Sequence, residues 1–162
     1  MSYSRASSWL TSVSVPLEFV PPDFAVPMSA VLGDLRLEPL GPKHNAADYV
    51  AWTSSIDHIR ATPGFPSGDW PAWMTSADNL PDLQMHAEDF SLRKGFTYTV
   101  LDAAGKVVGC VYIYPSKTRG IDASVRSWVT SECAHLDLPL AEAVRGWLVS
   151  DWPFHSIDYR EP

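Results

Sequence analysis

A mixed α/β sheet with helices on both faces is the fold class this sequence predicts, on three observations. Apolar periods between residues 35 and 160 follow the order strand, helix, helix, three-stranded antiparallel meander, helix, strand. The middle meander segment, Val107 to Tyr114, is apolar on both faces, as a central strand covered on both sides must be. The third meander segment and the last strand flank a helix, a connection that makes them a parallel pair with a right-handed crossover.

Each element has a local justification. Leu35, Leu37 and Pro39 alternate with Arg36, Glu38 and Leu40, a half-buried strand that stops at Gly41-Pro42. Tyr49, Trp52, Ile56 and Ile59 repeat at helical spacing, predicting one amphipathic helix over 45–60. Three prolines and two glycines within 62–71, together with Phe65 and Trp70, predict a structured aromatic loop. Leu80, Leu83, Ala87 and Phe90 place a second helix ending near Lys94, its start lying between Thr75 and Pro81. Phe96 to Leu101 and Val107 to Tyr114 read as strands about the turn Asp102-Ala-Ala-Gly105. Strict alternation puts Val107, Gly109, Val111 and Ile113 on one face and Val108, Cys110, Tyr112 and Tyr114 on the other. Ala123 to Val129 supplies the third strand, and Leu140, Val144, Trp147 and Leu148 face inward from a helix that starts near Pro139 and closes at Pro153. Phe154 to Tyr159 is the last strand. Residues 1–34 hold four prolines amid scattered bulky apolar residues, which predicts a mostly irregular arm packed on the body, 35–162, or on a second subunit in a homodimer.

Composition excludes several classes. At 162 residues, 46% apolar and 12% aromatic, the chain can bury a core and is not intrinsically disordered. A net charge of -7 without a basic run argues against nucleic acid. No stretch near the N-terminus approaches the roughly 20 apolar residues of a membrane span, and no export signal is complete, so a cytoplasmic protein is expected. Cys110 and Cys133 are too few and too far apart for a disulfide scaffold or zinc site, and none of the five histidines has metal-binding spacing, so no metal is expected. Hydrolase, nucleotide-phosphatase and dehydrogenase fingerprints do not occur.

The element order, with Phe96-Thr-Tyr-Thr-Val-Leu101, Gly109-Cys-Val-Tyr-Ile-Tyr114 and Val125-Arg-Ser-Trp-Val129 leading into a helix, resembles the GNAT acyltransferase superfamily over residues 35–160. The resemblance implies an N-acetyltransferase that moves an acetyl group from acetyl-CoA to a primary amine, on a small molecule or a peptide. It also implies that strands 123–129 and 154–159 splay around the acyl-CoA, with Trp128, Val129, Thr130, Ala134, His135 and Leu136 as cofactor-binding positions. The family holds the pyrophosphate on a glycine-rich loop, whereas Thr130-Ser-Glu-Cys-Ala-His-Leu-Asp-Leu-Pro139 has no glycine and two carboxylates. That departure motivates the alternative, a catalytically silent binding or interaction module that has lost the pyrophosphate loop.

Candidate residues carry two readings each. Glu132, just after the third strand, is the candidate general base, against a solvated acid at a helix start. His135 suits proton transfer near neutral pH, against a surface histidine. Phe65, Trp70, Tyr112 and Tyr114 are candidates for an acceptor pocket, against plain core packing. Arg126 in mid-strand faces solvent, pairs with Asp122 or Glu132, or reaches an anionic ligand, with the ion pair preferred. The acidic net charge favours a basic acceptor.

Overall fold

The computed structural model describes residues 18–66 and 68–160. Six strands form one sheet in the order β1 (Ala30–Leu32), β2 (Leu35–Pro39), β3 (Phe96–Leu101), β4 (Val107–Pro115), β5 (Ala123–Val129), β6 (Ile157–Asp158). All neighbours are antiparallel except β5 and β6, which are parallel. Between β2 and β3 lie α1 (Asn45–Thr53), α2 (Ile56–Arg60) and α3 (Ser76–Ser91), and α4 (Asp137–Asp151) precedes β6.

Apolar side chains close the sheet on both faces, which makes it a three-layer arrangement. Trp52, Ile59, Phe65 and Leu83 cover the face of β4 and β5 that carries Cys110 and Trp128. Leu140, Val144, Trp147 and Leu148 of α4 cover the opposite face at Tyr98, Val111 and Val129. Residues 18–34 cross this second face: Val20 is buried, Phe19 stacks on Phe96 at 5.7 Å, and Tyr98 donates its hydroxyl proton to the Pro27 carbonyl at 2.7 Å.

Five local features differ from the sequence reading. The arm contains β1, which pairs in register with β2 and gives the sheet its outer edge. The expected 45–60 helix breaks after Thr53, where Ser54 turns its hydroxyl back onto the Ala51 carbonyl and Ser55 leaves helical geometry. Its apolar stripe survives because α2 resumes the same side, burying Ile59. The register of β3 and β4 shifts between Val100 and Leu101, so Val108 is an extra residue, and Val107 joins the Cys110 face while Val108 joins the Val111 face. Gly109 beside this bulge is obligatory, since a Cβ there would lie 2.4 Å from the Trp128 carbonyl oxygen. A 3-10 helix, Ser131–Leu136, fills the loop before α4, and β6 is shorter than expected because the chain leaves β5 after Asp158.

Candidate functional site

Two regions of the sheet end were expected to work together, and they have unlike geometries. Strands β5 and β6 pair only at Ala123–Ile157 and Ser124–Asp158 and then diverge. Side chains of Tyr159 and Arg160 bridge the divergence. The Tyr159 hydroxyl meets Ser127 Oγ at 2.5 Å, and Arg160 donates to the Ser127 carbonyl at 2.8 Å. Arg160 also grips Asp137, the first residue of α4, with two hydrogen bonds of 2.5 and 2.9 Å. Arg145 of α4 donates to the backbone carbonyls of Tyr159 and Arg160, holding the segment from the other side.

The loop after β5 is not a glycine-rich pyrophosphate cradle: residues 130–139 hold no glycine, and several of its N–H groups are already bonded. Ser131 N–H is already bonded to Ser55 Oγ at 2.9 Å, Cys133 N–H to the Thr130 carbonyl at 3.0 Å, and Asp137 N–H to Ala134. A helix N-terminus favours an anion by about 0.3 to 1 kcal/mol. One carboxylate about 5 Å from a phosphate charge costs about 3 kcal/mol at an effective dielectric of 20. Glu132 and Asp137 place two carboxylates on this loop, each paired with a cation, Lys106 at 3.3 Å and Arg160 at 2.5 Å, which offsets that repulsion.

The candidate cofactor positions scatter. Trp128 is buried on the opposite side, its indole N–H donating to the Tyr112 hydroxyl at 3.0 Å. Val129 packs under α4, and Thr130 is buried with its N–H on the Val108 carbonyl. Ala134 and His135 are exposed, and Leu136 lines a separate apolar cavity with Pro139 and Ala143. Glu132 has a side chain 79% exposed and pairs with Lys106 at 3.3 Å, on the surface.

A cavity of about 380 Å³ opens on the α1 and α3 side of β4. Phe65, Trp70 and Tyr112 form its aromatic wall, and Arg126 stands at its edge. Four of the five predicted acceptor-side residues thus meet, although the expected ion pair of Arg126 does not form among the described residues. Its guanidinium lies 5.0 Å above the Phe65 ring and 5.5 Å above Tyr112, a cation–π position. The arginine stem rests on Gly64, which has φ of +97° and where a Cβ would meet Arg126 Cγ at 3.1 Å. Tyr114 is not part of the cavity lining; its hydroxyl meets His86, which is.

The residues that sequence reasoning missed are the polar ones. Asp48 of α1 is buried at 4% exposure and accepts from Asn79 Nδ2 at 3.1 Å. Asn79 is held by Trp52 Nε1 at 3.1 Å and by Asn45 at 3.0 Å, so its amide orientation follows from its partners. Burial pushes the Asp48 carboxyl up from 3.8 to about 6, against the Asn79 hydrogen bond and the His44 charge. Asp69 and Asp82 add two more carboxylates to the cavity lining, and His86 of α3 completes it. Two signals in the sequence could have found them: Asp48 stands one turn from Trp52 on an apolar stripe, and His86 one turn from Phe90 on another. Among the described residues no group of three His, Cys, Asp or Glu side chains could hold a metal, and no helix is long and apolar enough to cross a membrane.

No protein-family model matches the chain, and no curated protein matches it. Solved structures do. The ribosomal-protein-S5-alanine acetyltransferase of Vibrio fischeri is 15% identical, with a TM-score of 0.63 over 81% of this chain and 72% of that one. An acetyltransferase of Salmonella typhimurium that modifies the N-terminal serine of ribosomal protein L7/L12 is 9% identical, with a TM-score of 0.55 over 74% and 67%. The microcin C7 self-immunity acetyltransferase MccE, solved with acetyl-CoA and AMP, is 12% identical, with a TM-score of 0.59 over 77% and 69%. At these identities the likeness is one of fold: the chain has the GNAT acetyltransferase fold.

Proposed function

We propose that this GNAT-fold chain binds a small cationic amine in the aromatic and acidic cavity, as the acceptor side of an N-acyltransferase. The observation that carries the reading is Asp48, a carboxylate removed from water with one protein hydrogen bond and no cationic side chain in contact among the described residues. A buried carboxylate without a cation is costly, and an ammonium group would supply the missing charge. Phe65, Trp70 and Tyr112 offer ring faces and apolar area to the carbon chain of such an amine, and a lining with three aspartates against one arginine favours a positive ligand. The acetyltransferases of the same fold supply acylation of the bound amine as the reaction.

The opposite outcome of the test is amine recognition without transfer. One experiment separates the two. Calorimetric titration with 1,4-diaminobutane tests the cavity, and loss of binding in Asp48→Asn assigns it. Incubation of the same amine with acetyl-CoA, read by mass spectrometry, then distinguishes transfer, which yields the acetylated amine, from recognition, which leaves it unmodified. A diamine that does not bind up to about 1 mM, near -4 kcal/mol, refutes both readings.

A further inference from the structure

His86 is half-buried at the cavity lining, and its two ring nitrogens have different surroundings. Nδ1 lies 2.9 Å from the Tyr114 hydroxyl and 3.1 Å from Thr97 Oγ1. The Tyr114 hydroxyl also lies 2.9 Å from Asp89 Oδ2. A carboxylate only accepts, so the single hydroxyl proton of Tyr114 goes to Asp89. The tyrosine oxygen is then left as an acceptor, and Nδ1 must carry the imidazole proton; a bare Nδ1 would set two lone pairs against each other at 2.9 Å. Nε2 is consequently the unprotonated nitrogen. It has no hydrogen-bond partner among the described residues, and His86 is one of the residues that line the cavity. The ring is fixed further by Tyr112, at 5.6 Å between centroids.

Resting on the reading of the cavity as an amine site, we propose that His86 Nε2 accepts the proton of the bound ammonium, with Tyr114 and Asp89 as positioning residues that hold the imidazole in this tautomer. The step balances without a co-reactant. The N–H bond of the ammonium breaks, its electron pair stays on the amine nitrogen as the nucleophilic lone pair, and the proton goes to Nε2. The resulting imidazolium donates from Nδ1 to Tyr114, which donates to Asp89, so the positive charge is met by a carboxylate one hydroxyl away. This is the arrangement by which an acid orients a histidine base through its far nitrogen, with a tyrosine inserted between.

The charged and titratable groups that face His86 come from each packed element: Asp82 and Asp89 on α3, Tyr112 and Tyr114 on β4, Arg126 on β5, with Asp48 of α1 and Asp69 of the aromatic loop sharing the cavity. Burial lowers the His86 pKa, with Arg126 adding to the shift and Asp89 and Asp82 opposing it, so the ring is neutral at pH 7.5.

The deciding experiment is nitrogen NMR of the full chain labelled at histidine. In the free wild-type protein at pH 7.5, His86 is expected as the tautomer protonated at Nδ1 with Nε2 bare, and Tyr114→Phe is expected to convert it to a mixture. Saturating 1,4-diaminobutane should shift the Nε2 resonance more than Nδ1. A protonated Nε2 in the free protein, or an Nε2 unmoved by a diamine that calorimetry shows to be bound, overturns the proposal while leaving the amine site standing. Absence of diamine binding fells the amine site, and with it the proton transfer, and calorimetry reports that separately from the tautomer. In transfer assays, His86→Asn keeps a side-chain N–H toward Tyr114 but has no Nε2, and is expected to lower kcat at least a hundredfold with diamine Kd within threefold. A kcat within threefold of wild type overturns the proposal.

Discussion

Asp48→Asn should make the protein more stable while weakening its ligand site. In the unfolded chain this carboxyl titrates near 3.8, and in the folded chain burial holds it at about 6. Between those two values the unfolded chain has released a proton that the folded chain keeps, so stability falls as pH rises through the window from about 4 to about 6 and stays lower above it. The difference corresponds to about 3 kcal/mol at neutral pH. Asparagine removes the charge and can still accept from Asn79 through its amide oxygen, so most of that penalty should be recovered. The expected gain is about 1 to 3 kcal/mol at pH 7.5, falling toward zero near pH 4, where wild-type Asp48 is itself protonated in the folded state. Urea denaturation of both proteins at the two pH values measures it, and diamine affinity should drop at least tenfold in the same variant, from loss of the buried charge. A variant less stable than wild type at pH 7.5, or a gain of equal size at both pH values, would refute the claim that a cation-seeking carboxylate is buried there.

Three other outcomes test the surrounding structure. Arg160→Ala should cost about 2 to 4 kcal/mol, because it strips Asp137 of a half-buried bidentate partner; a loss below about 0.5 kcal/mol in chemical denaturation, the size of a surface ion pair, would show that the segment is not clamped. Gly95→Ala should lower Tm by several degrees, since a Cβ there would lie 2.2 Å from the Tyr114 ring, and unchanged thermal melting would contradict that packing. Ser55→Ala should cost about 1 kcal/mol by freeing Ser131 N–H, and amide hydrogen exchange at Ser131 should accelerate; an unchanged rate would remove the Ser55 contact.

Much of the fold is legible in local pattern, and particular residues show where that stops. The alternation of Phe96 to Leu101 and Ala123 to Val129 and the two-sided apolar run of β4 place the meander at the centre of the sheet. The 3.6-residue spacing of Leu140, Val144, Trp147 and Leu148 places α4 on one face. The inserted Val108 is invisible to such reasoning, because a bulge changes which face a residue meets only through its partner strand. The aromatic half of the site is legible as well: Phe65, Trp70, Tyr112 and Arg126 come together at one cavity.

The polar lining of that cavity is set by contacts between distant segments. Asp48 looks like an ordinary first-turn acid of a helix, and becomes a buried carboxylate only because Asn79 and the aromatic loop close over it. His86 has no metal-binding spacing and no acid beside it in sequence that orients its ring directly; Tyr114, 28 residues away, does so. Glu132, chosen for its place after a strand, is drawn to Lys106 at the surface. Side-chain periodicity is a property of a few consecutive residues and reports which face is apolar. The protonation and role of a polar group depend on what the rest of the chain brings within a few ångströms of it and how much water is left there, and that is fixed by the packing of the sheet against α1, α3 and the segment ending at Arg160.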